Sequence, residues 1–232
     1  MNKKSSNYAI VFDMDGVIFN SEQLSLECWK QVAIKHNICD IEPAVYSCLG
    51  NIYEKAKEKM KQIYGASFDY DGYKKEKTAL YKQMYQDKKL HLKPGVWELL
   101  SFLKNRHVPI GLATSTVSGV VKTELNDYGL IEYFDTLVCG DMIMHGKPDP
   151  EVYLKACDNL GYNPNDCYAI EDSYNGILAA NRAGMKVIMV PDLLGADILD
   201  ESTPAIVKSS LIEVCKYLKK KNTLERGGET DE

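Results

Sequence analysis

No hydrophobic run in this chain of 232 residues approaches the roughly 20 apolar residues that a membrane-spanning helix needs. Residues 1–7 are polar and lead straight into a strand-like segment, without the apolar stretch and cleavage site of a secretory signal. Excess basic charge is missing as well. With 28 Lys and Arg against 33 Asp and Glu, the formal charge is −5, whereas a nucleic-acid binder needs a clustered basic face. Any phosphate bound here must therefore be caught by a few local groups. Cysteines at zinc or redox spacing are also lacking. The seven present are odd in number and contain no C-x-x-C, so they read as small buried apolar residues in a reducing compartment. These absences predict a cytoplasmic protein with neither a membrane nor a nucleic-acid partner. No internal repeat or low-complexity tract interrupts the chain, and nothing in it sets an oligomeric state.

What is present is an ordinary globular composition, 45% hydrophobic and 26% charged. Short β-rich apolar runs occur at 8–12, 110–113, 136–139, 167–170 and 186–190, and from the second onward helical patterns alternate with them at 96–106, 118–128, 150–160 and 173–183. Gly129, Gly161 and Gly184 suit the helix ends, and Pro150 suits a first turn. Such alternation predicts an α/β protein, a doubly wound parallel-sheet (Rossmann-like) core. Between 12 and 110 the rhythm breaks. Helical patterns at 21–36, 52–64 and 69–87, the first with an apolar stripe of Leu24, Cys28, Trp29, Val32 and Ala33, predict a three-helix cap inserted after the first strand. The expected boundaries are 1–19 and 92–221 for the core, 20–91 for the cap, and a disordered tail at 222–232.

Four segments at predicted strand ends carry chemistry. Asp13-Met14-Asp15-Gly16 closes the first strand with two carboxylates, where an open parallel sheet presents its ligands. Like charges so close call for a cation or a proton between them. Thr114-Ser115-Thr116 offers hydroxyls and amides ahead of a helix, suited to holding a phosphate. Gly146-Lys147-Pro148 holds a lysine on a constrained loop, suited to neutralising phosphate oxygens. Glu171-Asp172-Ser173 supplies acids that could complete an oxygen shell for Mg²⁺. Each alone also reads blandly, as a turn, an N-cap, a surface lysine or a helix cap. Four such groups at four strand ends of one sheet instead converge on one cleft.

With these residues the chain resembles the haloacid dehalogenase-like hydrolase superfamily, in the helical-cap branch that includes β-phosphoglucomutase and small-molecule phosphatases. The likeness spans about 8–218, because Phe-Asp-Met-Asp-Gly-Val, Leu-Ala-Thr-Ser, Gly-Lys-Pro-Asp-Pro and Glu-Asp-Ser-x-x-Gly-Ile-x-Ala-Ala occur in the family's order. The resemblance implies Asp13 as nucleophile and Asp15 as general acid/base. It implies Thr114, Ser115 and Lys147 as phosphate ligands, and a Mg²⁺ cofactor held by Asp13, the Asp15 carbonyl and Asp172, with Glu171 as ligand or partner. Retention of Asp15 separates the chain from the superfamily's dehalogenases.

The expected function is Mg²⁺-dependent hydrolysis of a small phosphomonoester, a sugar phosphate among the candidates, through an aspartyl phosphate. The alternative is a β-phosphoglucomutase-like mutase, which passes the phosphoryl group to a bound sugar. Related mutases carry a cap-linker histidine and a cap arginine where Ser25 and Tyr53 stand here, which favours hydrolysis. A non-catalytic phosphometabolite-binding protein is a third reading, opposed by the intact Asp13 and Asp15. Asn20 stands where many relatives have Asp and receives no mechanism from sequence. Tyr46, Tyr53, Tyr64 and Lys55 are candidates for reaching the cleft from the cap.

Overall fold

The computed structural model describes residues 6–227, with side chains to 221. Its sheet has six parallel strands in the order β3-β2-β1-β4-β5-β6. They are β1 (Ala9–Phe12), β2 (Ile110–Ala113), β3 (Thr136–Val138), β4 (Cys167–Glu171), β5 (Lys186–Met189) and β6 (Ile206–Val207). Continuous apolar runs are what a strand covered on both faces requires. Ile10, Phe12, Tyr168, Ile170 and Ile188 pack on one side against α5 (Val96–Asn105), α6 (Ser118–Asp127) and α9 (Leu211–Gly227). Their neighbours Ala9, Val11, Cys167, Ala169, Val187 and Met189 pack on the other against α7 (Glu151–Leu160) and α8 (Tyr174–Arg182). Strand order reverses between β1 and β4, which opens a crevice at their carboxyl ends.

Between β1 and α5 lie four helices, α1 (Ser21–His36), α2 (Ile41–Cys48), α3 (Tyr53–Tyr64) and α4 (Tyr70–Gln86), rather than the three that periodicity predicts. The unforeseen one, α2, has eight residues and carries Pro43 in its first turn, where the missing N–H has no intrahelical partner to lose. These helices bury their own core around Trp29, Val32, Ala44, Val45, Met60 and Tyr70. Burial of each large apolar side chain there contributes about 1.5–3 kcal/mol. Neither β6 nor α9 is among the sequence expectations. The predicted disordered tail also differs over 222–227, where α9 continues to Gly227, and residues 228–232 lie outside the described residues. Among the described residues no helix is long and apolar enough to cross a membrane.

The two chain crossings between core and cap run side by side. Phe19 bridges Leu92, and the Asn20 amide donates to the His91 carbonyl at 3.0 Å. Asn20 then accepts the His91 amide on its side-chain oxygen at 2.7 Å. That gives Asn20 the role the sequence withheld: it ties the outgoing and returning linkers together.

Candidate active site

Register decides what meets at the crevice. Phe12 pairs with Ile170 on one side and Leu112 on the other, so the residues after β1, β2 and β4 emerge at one level. The Asp13 amide donates to the Ile170 carbonyl at 2.9 Å, which holds Asp13 beside Glu171. Asp13 and Asp15 then face the same cavity of about 390 Å³, roofed by the cap. Gly16, at φ +76°, bends the chain away, and a Cβ there would stand 2.1 Å from Asp172 Oδ2. Only glycine meets both conditions.

Lys147 is 1% exposed and joins two acids, with Nζ 2.8 Å from Asp13 Oδ1 and 2.6 Å from Glu171 Oε1. Burial disfavours its ammonium, but the two carboxylates outweigh that and hold its pKa above the ordinary lysine value. Burial raises the Asp13 pKa; Lys147 opposes this, and Glu171 and Asp15 add to it. Asp172 is raised by burial and by the charges of Glu171 and Asp13.

Glu171 is the organising residue of this group. Its Oε1 accepts Lys147 and the Tyr153 hydroxyl at 2.6 Å. Its Oε2 accepts the Asp172 and Ser173 amides at 3.0 and 3.2 Å and the Ser173 hydroxyl at 3.1 Å. Ser173 also caps α8, accepting the Gly176 amide at 3.1 Å. Asp172 is 4% exposed, and among the described residues its carboxylate receives no hydrogen bond. Oxygens of Asp13, Glu171 and Asp172 lie within 4.8 Å of one another. Buried carboxylates in such number, with one lysine and with Asp172 unpartnered, fit a hard divalent cation with oxygen ligands.

Asp15 is held by three hydroxyls, with Ser21 at 2.6 Å on Oδ1 and Thr116 at 2.7 Å and Thr114 at 3.3 Å on Oδ2. Sequence reasoning offered Thr114 as a phosphate ligand rather than as a partner of Asp15, and it assigned no individual role to Ser21 or Thr116. Thr116 lay within the hydroxyl cluster already singled out, whereas no motif marks Ser21. Thr114 is fully buried and also accepts the Thr116 amide at 3.0 Å. Ser115 lines the cavity, and its hydroxyl donates to the Gly50 carbonyl at 2.9 Å, which seats a cap loop on the core. Asn175 holds the same loop through the Leu49 carbonyl at 2.8 Å.

Of the cap candidates, Tyr53 lines the cavity, and so does Ser25. Lys55 instead donates to the Gly146 carbonyl at 3.2 Å. Tyr64 donates to the Cys39 and Asp40 carbonyls and Tyr46 packs on the cap core, both away from the cavity. Four charged residues without a sequence signature line the cavity's inner part: Glu22, Lys74, Lys77 and Glu124. Burial and the Asp15 charge push Glu22 up to about 7 and Glu124 up to about 8. Burial and Lys74 bring Lys77 down to about 8.

The sequence model described as haloacid dehalogenase-like hydrolase matches residues 10–190. A phosphorylated carbohydrates phosphatase from Thermotoga maritima is 31% identical over 218 residues, covering 91% of this chain and 98% of that protein. A β-phosphoglucomutase from Bacillus subtilis is 32% identical over 214 residues, 88% of this chain and 94% of that one. Among solved structures, a hydrolase from Pseudomonas syringae superposes with a TM-score of 0.79 at 20% identity, covering 92% of this chain and 98% of that one. That last likeness concerns the fold.

Proposed function

The chain belongs to the haloacid dehalogenase-like hydrolase family, and from that premise we propose that it is a Mg²⁺-dependent phosphatase that hydrolyses a small phosphomonoester through an aspartyl phosphate on Asp13. The observation that carries this reading is Asp13 itself: a nearly buried carboxylate, fixed by Lys147 at 2.8 Å, beside Asp15 on the same cavity. A structural ion pair needs no second carboxylate two residues away.

An Asp13 carboxylate oxygen attacks phosphorus as the bond from phosphorus to the leaving oxygen breaks, and Asp15 gives that oxygen a proton. Asp15 then takes a proton from water, whose oxygen attacks the phosphoryl group and breaks its bond to Asp13. The products are the free alcohol and inorganic phosphate. Lys147 keeps Asp13 oriented and offsets charge on the transferred group. Thr114 and Ser115 would give its oxygens the hydroxyls that here bond Asp15 and the Gly50 carbonyl. Ser21 and Thr116 orient Asp15. The ion would be held by Asp13, Asp172 and the Asp15 carbonyl, with Glu171 beside them fixing Asp172 and Lys147. When bound, Mg²⁺ supplies positive charge against the phosphoryl oxygens.

Transfer to a bound sugar is the competing outcome, given the likeness to a β-phosphoglucomutase. Ser25 and Tyr53 line the cavity where such mutases use histidine and arginine, so water is the favoured acceptor. Release of phosphate from an aryl phosphate with Mg²⁺, abolished by Asp13→Asn, is the expected result. Absence of hydrolysis on any phosphoester would overturn the reading. Conversion of β-glucose 1-phosphate, with its bisphosphate activator, to glucose 6-phosphate without matching phosphate release would replace hydrolysis by isomerisation.

A further inference from the structure

The inner cavity holds more charge than phosphoryl transfer uses. Glu124 stands on α6 one turn after Val120, Lys77 on α4 one turn before Tyr81, and Glu22 in the first turn of α1; all line the cavity that opens on Asp13 and Asp15. Glu124 is 3% exposed and Lys77 8%. Glu124 Oε2 has no hydrogen-bond partner among the described residues, and Oε1 receives only a long bond of 3.4 Å from the Tyr81 hydroxyl. Lys77 Nζ sits 4.9 Å from the Tyr81 ring centroid and, among the described residues, pairs with no carboxylate. Burying such groups with their hydrogen bonding unmet is costly, and a stabilising role would have closed Lys77 onto Glu22 or Glu124. These unmet donors and acceptors belong to residues that line the cavity, where a substrate would meet them.

Resting on the phosphatase reading above, we propose that Glu124, with Lys77 and Glu22 beside it, reads the hydroxyls of a polyhydroxylated phosphomonoester and sets specificity for it. Charge balance selects this class. Glu22 and Asp15 stand against Lys74 and Lys77, and Glu124, pushed up to about 8, adds a neutral carboxyl at pH 7, so the pocket has no unopposed cluster of positive charge to draw a second phosphate or carboxylate. A leaving group bearing an amine would meet the lysines. A hydroxyl suits both signs, donating to Glu124 or Glu22 and accepting from Lys77. Trp29 and Tyr70, stacked with ring centroids 5.9 Å apart, add an apolar wall for the carbon face of such a ligand. At the rim Tyr53, Val117 and Val120 are 44%, 51% and 40% exposed and uncharged, again unsuited to a second phosphate.

The test compares kcat/KM, with Mg²⁺, for hexose, pentose and polyol phosphates against phosphoglycolate, a sugar bisphosphate and p-nitrophenyl phosphate, in the native enzyme and in Glu124→Gln. At least one polyhydroxylated monophosphate is expected to exceed the aryl and anionic substrates by about tenfold or more, and this advantage is expected to fall at least about tenfold in Glu124→Gln. Both substrates of each ratio are measured on one preparation, so a loss of folded protein cancels. The inference is overturned, with the phosphatase reading intact, if the aryl phosphate is hydrolysed but phosphoglycolate or the bisphosphate is preferred, or if the advantage survives Glu124→Gln. No turnover of any phosphoester, the aryl one included, sinks the phosphatase reading and this inference with it.

Discussion

Replacing Tyr153 by Phe removes one oxygen and keeps the ring. Tyr153 is fully buried, and its hydroxyl donates to Glu171 Oε1 at 2.6 Å. Its ring also lies 5.1 Å from Lys147 Nζ, a contact that Phe retains. Packing against Val152 and Ala156 is unchanged as well. The perturbation therefore isolates one hydrogen bond to a buried carboxylate, worth about 1.5–3 kcal/mol. The lower end is expected, because Glu171 keeps four other donors. Burial and the nearby charges of Glu171 and Asp13 raise the Tyr153 pKa well above the ordinary phenol value, so it remains a donor throughout the neutral range. The loss should then be the same at pH 6 and pH 9. Urea unfolding followed by circular dichroism, in EDTA to remove metal contributions, measures it directly. Thermal unfolding should fall by about 3–8 °C for a domain of this size. A loss below about 0.5 kcal/mol, or one that changes steeply between pH 6 and 9, would refute the picture of Tyr153 as a neutral donor to Glu171.

Two further outcomes concern Gly16 and Glu124. Gly16→Ala adds a left-handed backbone cost of about 1–2 kcal/mol and a methyl 2.1 Å from Asp172 Oδ2. It should lower both the unfolding midpoint and phosphatase activity, and a variant equal to the native protein in both would contradict the placement of Asp172. Glu124 has its folded pKa raised from 4.5 to about 8, so the native state binds the extra proton between those values and stability declines as pH rises through that window. Glu124→Gln should flatten the decline, gaining relative stability at pH 8 over pH 5 in urea titrations; an unchanged slope would show that Glu124 is not held in this environment.

The primary structure by itself determined the α/β alternation, the position of the cap insertion and the identity of the groups at the strand ends. Those are local properties: apolar runs, glycine stops and carboxylates placed two residues apart are legible without knowing what packs against them. Asp13, Thr114, Lys147 and Asp172 could be gathered because parallel-sheet topology sends every strand end to the same edge. Short elements escaped, α2 and β6 among them, because eight or two residues carry too little periodicity. Tertiary structure alone decided that Glu171 collects five donors while Asp172 keeps its oxygens free, since both acids are equivalent on paper. It likewise decided that Glu22, Lys77 and Glu124 share one cavity. They sit on three helices more than 100 residues apart from first to last, and only the docking of cap on core removes their water and turns ordinary surface charges into a recognition site.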